Sequence, residues 1–142
     1  MLAALAGSGG ALAIDNPDAP DRSSAFLARA QPFEARLAGT TGGAAAAQAG
    51  AAYAAFLEIE LNQAYQQLLP QLGTEARRVL VQSQRQWLLF RDAETRFITR
   101  NWTPQDFGSS STLSRANYST TLTRHRVLTL LEYLQNYPAG KN

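Results

Sequence analysis

The sequence predicts an all-α protein, an elongated antiparallel bundle of about four helices. Apolar residues recur at steps of three and four along most of the chain, which is the spacing of a helix face. Proline and glycine separate these long periodic segments, as they commonly do between helices. No segment alternates apolar and polar residues as a half-buried strand does. A chain of 142 residues with 45% hydrophobic residues can bury one core as a single domain.

The first helix is predicted from about residue 21 to residue 37. Four apolar residues carry its helical spacing: Phe26, Ala30, Phe33 and Leu37. Pro32 interrupts this pattern, so we expect a kink there or a division into two short pieces. Gly39 is placed to act as the C-cap.

The second helix is predicted from about residue 44 to residue 69. It begins as an alanine-rich run, which favours helix by propensity but supplies few large packing groups. We therefore expect its packing face to start at Tyr53. Pro70 and Gly73 mark its end. The short connection that follows predicts that helices two and three are antiparallel neighbours.

The third helix is predicted from Thr74, as its N-cap, to about residue 100. Its apolar stripe comprises Leu80, Ser83, Trp87, Phe90, Glu94 and Phe97. A carboxylate in such a stripe is costly to bury without a partner. Glu94 is therefore expected to pair with Arg126 of the last helix or with Arg91 of its own. The structural polar network predicted on this basis consists of Asn62, Arg91, Glu94, Thr123 and Arg126.

Residues 101–112 are rich in turn formers and are predicted to be the main interior loop. This segment also carries two aromatic residues, Trp102 and Phe107. The fourth helix follows, from about residue 113 to residue 137, and keeps a three/four spacing of apolar and threonine positions. Pro138 ends it.

Composition argues against catalysis. Cysteine is absent, and the one histidine, His125, stands between two arginines that disfavour imidazolium. The carboxylate pairs Glu58/Glu60 and Asp92/Glu94 are spaced two apart, so the members of each pair point to different sides of a helix. No glycine-rich phosphate loop or metal-ligand cluster is present. We therefore predict a protein that is not an enzyme and needs no cofactor.

Charge is divided unevenly along the chain. Residues 1–60 hold three arginines against six acids, whereas residues 61–142 hold ten basic residues against five acids. The basic part predicts an acidic partner. A scattered arginine set spreads around two helices without a recognition motif, which argues against nucleic-acid binding. The members of this set are Arg85, Arg91, Arg96, Arg100, Arg115, Arg124 and Arg126. A protein partner is the prediction that remains.

The first 13 residues form a short apolar run that ends in a small-x-small pattern at Ala11-Leu12-Ala13. This is typical of the later part of a secretory signal and predicts a periplasmic or secreted protein. The alternative is a disordered Ala/Gly tail. The run is too short to span a bilayer, so stable membrane insertion is not expected. Residues 14–142 are predicted to form the helical domain.

Four segments occur in order and together suggest a family. They are L-N-Q-A-Y-Q-Q-L at 61–68, Q-R-Q-W-L-L-F-R-D-A-E at 84–94, G-S-S-S at 108–111 and L-T-R-H-R at 122–126. Over about residues 53–137 the chain resembles the LprI-like lysozyme-inhibitor family, whose members are small and usually exported bacterial proteins. The most specific segment of the resemblance is W-x-x-F-R-D-A-E, which begins at Trp87. The resemblance implies binding to lysozyme-type muramidases and their inhibition.

One departure from the family pattern concerns cysteines. Members of the family commonly have a cysteine at each of the two positions occupied here by Thr95 and Tyr118. A disulfide staple contributes about 2–4 kcal/mol where it is present. Its loss implies that packing, through Trp102 and Phe107, holds the loop instead.

If the family function holds, the loop is the expected place for inhibition, because recognition residues usually lie on loops of a rigid scaffold. Its hydroxyls and Arg115 would hydrogen-bond the carboxylates of a glycosidase cleft, while an aromatic side chain fills a sugar subsite. The predicted partner-binding residues are Trp102, Phe107, Ser109, Ser110, Ser111 and Arg115. The alternative is a solvated connector whose aromatics cap the bundle end. Two other functions remain open: an immunity or accessory protein for another secreted effector, and a structural envelope protein without inhibitory role.

Overall fold

A computed structural model describes residues 18–137, which form α-helices and their connections without a strand. The helices are α1 (Arg22–Ala38), α2 (Gly43–Leu68), α3 (Thr74–Asn101), α4 (Pro104–Phe107) and α5 (Ser110–Gln135). A 3-10 turn, Leu69–Gln71, joins α2 to α3. The predicted all-α fold is confirmed. The signal-like residues 1–13 lie outside the described part.

Helix α1 begins and ends where the sequence predicts. The Asp21 carboxylate accepts hydrogen bonds from the Ser24 backbone N–H (2.9 Å) and hydroxyl (2.7 Å), which lower its pKa and cap the helix. Gly39 is the C-cap. The helix runs through Pro32 as one element, so a division into two pieces is wrong. The Pro32 ring lies on the exposed side, where it displaces no core side chain, and its missing N–H removes one backbone hydrogen bond.

Helices α2 and α5 form the centre of the bundle and make the most extensive contact between any two elements described. Small buried residues of α2 permit this approach: Ala46, Ala49 and Gly50. A Cβ atom on Gly50 would lie only 2.7 Å from the Ala116 Cβ of α5. The alanine-rich run is therefore a packing surface, and the prediction that packing starts at Tyr53 is wrong. Small side chains let two backbones approach closely, so the run packs without large apolar groups.

The remaining core of the bundle is made by large apolar side chains. Several of them are fully buried: Phe26 of α1, Leu57 and Leu68 of α2, and Val127 and Leu130 of α5. Helix α1 covers both central helices. It runs antiparallel to α2, as the contacts of Arg29 with Glu60 and of Glu34 with Tyr53 show. These contacts make α1, α2 and α5 one packed unit.

Helix α3 lies on the outer side of α5 and packs mainly against it. The two run antiparallel, since Gln84 contacts Arg126 and Arg91 contacts Thr123. Helices α2 and α3 leave an open groove of about 620 Å³ between them. Helix α3 nevertheless runs back along α2 and is bridged to it by the Arg91–Glu58 ion pair, so the predicted antiparallel arrangement is found, but without close packing of the two helices. Helices α1 and α5 cover most of the apolar surface of α2. The contact between α2 and α3 is therefore made by long side chains and not by close packing.

The core-facing stripe of α3 is also displaced from the predicted one. Its most buried residues are Gln84 and Ile98, with Leu80 and Trp87 partly buried beside them. By contrast, Phe90 and Phe97 are 50% and 55% exposed. At 100° per residue, the observed face is rotated by roughly 60° from the predicted face. Apolar residues of α3 consequently remain on the surface.

Candidate partner-binding site

The segment predicted as a loop is almost entirely helical. Helix α3 continues to Asn101, and α4 starts after Thr103, whose hydroxyl accepts a hydrogen bond from the Asp106 N–H (3.3 Å). Pro104 occupies the first helical turn, where its missing N–H costs nothing. Gly108, with φ of 62°, turns the chain into α5, which begins at Ser110. The loop prediction is wrong because these residues cap and start helices here, although the same residue types also form turns.

Four aromatic rings gather around this connector and define what we call the aromatic end patch: Phe97, Trp102, Phe107 and Tyr118. The Trp102 ring centroid lies 4.6 Å from Tyr118, 5.8 Å from Phe97 and 6.2 Å from Phe107. Trp102 is half-buried at the centre. The other three rings are 55%, 45% and 48% exposed for Phe97, Phe107 and Tyr118. The patch is thus a contiguous aromatic surface with a fixed centre.

The same rings join the end of α3 to the first half of α5. Trp102 and Phe107 are in ring contact, which supports the expectation that their packing holds this segment. Tyr118, at one of the positions where the resembling family carries cysteine, makes the closest ring contact to Trp102. Aromatic pairs of this geometry contribute about 0.5–1.5 kcal/mol beyond the area they bury. The cluster therefore connects the two helices without a covalent bond.

Arg115 fixes the centre of the patch. Its Nε donates a 2.6 Å hydrogen bond to the Trp102 carbonyl oxygen, and the side chain is half-buried. That carbonyl belongs to the last turn of α3, where acceptors have no partner within the helix. Arg115 thus positions Trp102, in addition to any charge it offers to a partner.

The three serines of the connector differ in exposure. Ser111 is buried at 1% exposure, so its hydroxyl is not on the surface. Ser110 is exposed but donates its hydroxyl to the Phe107 carbonyl (2.7 Å). Ser109 is exposed, and its carbonyl accepts from the Gly43 N–H (3.4 Å). Of the serines predicted to bind a partner, Ser111 is therefore removed by burial.

The start of α2 holds the connector from the other side. Gly42 has φ of 119°, and a Cβ atom there would collide with the Ser109 carbonyl oxygen. A glycine is needed at this point for both reasons. The connector therefore lies against the backbone that leads from α1 to α2.

The polar residues predicted around Glu94 take other partners. Arg91 pairs with Glu58 of α2 and lies 3.5 Å from the Thr123 hydroxyl of α5. Glu94 is half-buried and makes no ion pair within residues 18–137, so the predicted Glu94–arginine pair is wrong. The partner that sequence reasoning missed is Glu58, whose side chain is 53% exposed at the groove between α2 and α3.

Arg126 of α5 also contacts α3. It donates to the Gln84 side-chain oxygen (2.9 Å) and the Ser83 hydroxyl (3.4 Å), and burial lowers its pKa. The guanidinium carbons of Arg91 and Arg126 lie 5.1 Å and 5.9 Å from the centroid of the Trp87 ring. Asn62, predicted in the same network, is exposed and lines the groove. The contacts of the two arginines fasten α3 to the bundle.

A second polar network joins α1, α2 and α5. Glu34 accepts hydrogen bonds from the Tyr53 hydroxyl and from Arg124 Nε, each at 2.7 Å. Burial opposes ionisation of Glu34, but these two hydrogen bonds outweigh it and hold its pKa below the usual 4.5. Burial and the Glu34 carboxylate raise the pKa of Tyr53 above its ordinary value. The network therefore favours a charged Glu34 and a neutral Tyr53.

This network predicts a component of acid sensitivity. A folded-state pKa below the unfolded one gives stability that is full above pH 4.5 and is lost as pH falls below it. Glu34 is 38% exposed, so we expect a contribution of at most about 1 kcal/mol. Denaturant melts between about pH 6 and pH 3 should therefore show a smaller loss for Glu34→Gln than for wild type. The control Glu132→Gln, at an exposed α5 position, should follow wild type, and equal losses in all three proteins would refute the assignment.

Comparison with known proteins identifies the family. The model of a family described as lysozyme inhibitor LprI matches residues 36–130, which include α2, α3, α4 and most of α5. The chain belongs to the LprI lysozyme-inhibitor family. The match contains the whole aromatic end patch and begins before residue 53, where the resemblance in the sequence motifs starts. Among curated proteins and among solved structures, no match to this LprI family member was found.

Two further observations concern metal binding and membrane insertion. Among the residues that the structure describes, none form a group of three or more side chains suited to hold a metal ion. Within the same range, no helix is long and apolar enough to cross a membrane. The family description names its members as inhibitors of an enzyme, and an inhibitor acts by binding its target.

Proposed function

We propose that the protein is exported and inhibits a lysozyme-type peptidoglycan hydrolase, and that it binds the enzyme with the aromatic end patch. The observation that carries the proposal is this patch of four touching rings, three of them about half exposed, in a chain of an inhibitor family. Exposed apolar patches of this kind mark interaction sites more often than isolated surface residues do. The signal-like start of the sequence supports export.

The chemistry of a glycosidase cleft supports an aromatic ligand surface. Such a cleft uses two carboxyl groups beside the scissile bond and must hold sugar rings next to them. A half-exposed Phe107 or Tyr118 offers the flat apolar face that a sugar subsite accepts. Interface energy also concentrates in a few aromatic and arginine residues. The patch therefore blocks the cleft by occupying subsites, with Trp102 as its rigid centre.

The connector gives the patch the rigidity that tight binding requires. Arg115 holds Trp102, the Ser110 hydroxyl holds Phe107, and the start of α2 holds Ser109. Side chains already ordered in the free protein lose less conformational entropy on binding. In this proposal Ser109 and Ser110 lie at the polar edge of the contact, and Arg115 acts mainly on the position of Trp102.

A turbidity assay of cell-wall lysis tests the proposed function. Several muramidases are each assayed with and without the purified protein at increasing molar ratio. We expect at least one enzyme to be slowed in proportion to the added protein, and the inhibition to weaken as substrate is raised because the cleft is the shared site. Undiminished lysis by every enzyme would contradict the proposal and would favour an immunity or accessory role toward another effector.

A further inference from the structure

A set of unpaired arginines lies on the outward side of α3. Arg85, Arg96 and Arg100 are exposed, and none of them makes an ion pair within residues 18–137. Most other arginines in that range are engaged, as Arg78 is with Glu75 and Arg124 is with Glu34. The positive charge of α3 that has no ion-pair or hydrogen-bond partner among the described residues is therefore concentrated in these three side chains.

Helical spacing brings the three arginines to one side of α3. Arg96 and Arg100 are one turn apart, and Arg85 precedes Arg96 by three turns. Like charges one turn apart destabilise a helix, and Asp92, one turn before Arg96, forms no ion pair with it. We call these three arginines the basic edge. The repulsion within it would be relieved by a bound anionic surface.

The basic edge is continuous with the aromatic end patch. Phe97 follows Arg96 directly and precedes Arg100 by less than one turn, and its ring contacts Trp102 at 5.8 Å. A partner seated on Phe97 and Trp102 therefore comes within reach of both arginine side chains. Free arginines beside apolar rings match an acidic rim around an apolar groove on the partner.

We infer that Arg96 and Arg100 bind acidic side chains on the rim of the hydrolase cleft, next to the subsites taken by the aromatic end patch, and that Arg85 extends the same basic edge about 16 Å further along α3. This inference rests on the proposed function and deepens it, because it states the chemistry of the enzyme surface. Its main consequence is kinetic, since charges at the edge of an interface act chiefly on the association rate and on its dependence on salt.

The test compares single charge reversals of equal size. Arg96→Glu and Arg100→Glu alter the basic edge, while Arg36→Glu alters an exposed arginine of α1 that has no ion pair among the described residues. Association with the inhibited hydrolase is measured at about 50 mM and about 300 mM salt. We expect each edge variant to associate roughly 3–10-fold more slowly at low salt, with Arg36→Glu within about twofold of wild type and the differences shrinking at high salt. Arg96→Gln and Arg100→Gln serve if a reversal unfolds the helix.

Each contrary result has a distinct meaning. If edge and control variants associate at equal rates, or if the association rates do not depend on salt, the inferred role of the basic edge is overturned. The proposed function is unaffected by either result. In a further control, the wild type and Arg96→Glu are each mixed with purified cell-wall polymer without enzyme. If the wild type binds the polymer and Arg96→Glu does not, the inference is also overturned, because the arginines then bind a polyanion. If no muramidase is inhibited at all, the proposed function fails and the inference fails with it.

Discussion

Replacing Trp87 with alanine is expected to lower the free energy of unfolding by about 3 kcal/mol. Trp87 packs against the core from α3, and the guanidinium groups of Arg91 and Arg126 lie over its ring at 5.1 Å and 5.9 Å. Truncation removes the packing and leaves two cations beside a cavity. Because α3 contacts the bundle mainly through α5, few other side chains compensate. The measurement is a denaturant melt followed by circular dichroism, which does not depend on tryptophan fluorescence.

A matched control separates the observed face of α3 from the predicted one. Phe90 belongs to the stripe that the sequence predicts, but it is 50% exposed in the structure. Phe90→Ala should therefore change the free energy of unfolding by less than about 1 kcal/mol. Equal losses for Phe90→Ala and Trp87→Ala would show that α3 faces the core as the sequence pattern indicated, and would contradict the structure at this helix.

The second large effect concerns inhibition. Phe97→Ala and Tyr118→Ala should each weaken inhibition of the responding hydrolase by about tenfold or more, that is by at least 1–2 kcal/mol. Both rings are part of the aromatic end patch and contact Trp102. Their loss removes apolar area from the proposed contact without emptying a fully buried site. The measurement is a titration of inhibition with variants shown to be folded.

The two helices supply matched controls for these variants. Phe90 lies two turns before Phe97 on the same side of α3, with 50% against 55% exposure. Tyr133 lies on α5 as Tyr118 does, with 46% against 48% exposure. Phe90→Ala and Tyr133→Ala should leave inhibition within about twofold of wild type. If the members of each pair behave alike, the patch is not the contact surface.

Much of the fold could be predicted because its signals are local. Asp21, Gly39 and the residues around Pro70 mark helix ends, and the observed bounds of α1, α2 and α3 lie close to the predicted ones. The Thr103-Pro104 start of α4 was also visible as a cap followed by an N1 proline. The sequence pattern nevertheless predicts a loop at this point, because the same residue types also form turns.

The rotation of α3 could not be predicted from its pattern. Its core-facing side includes Gln84 and Arg91, whereas Phe90 and Phe97 face outward. A method that seeks the most apolar stripe selects the wrong side of such a helix. The polar residues are tolerated because Arg126 and Glu58 reach them from other helices. Those partners depend on the packing of the whole bundle and not on local sequence.

The sequence predicts only part of the candidate site, because some of its contacts also depend on how the helices pack. Trp102 and Phe107 stood out as aromatics in a polar segment, and the structure brings them together. The predicted stripe of α3 places Phe97 in the core, and the sequence marks Tyr118 only as the residue at a position where the family carries cysteine. Their contacts with Trp102 depend on the crossing of α3 and α5, which sequence spacing does not specify.

The most direct test of the central claim is a hydrogen–deuterium exchange footprint of the protein with and without the hydrolase it inhibits. Bound enzyme should slow exchange in peptides that cover residues 97–118, which contain the end of α3, the connector and the first turns of α5. Peptides from the last turns of α5 should exchange at the same rate in both states. Protection confined to other segments, with residues 97–118 unchanged, would contradict the account.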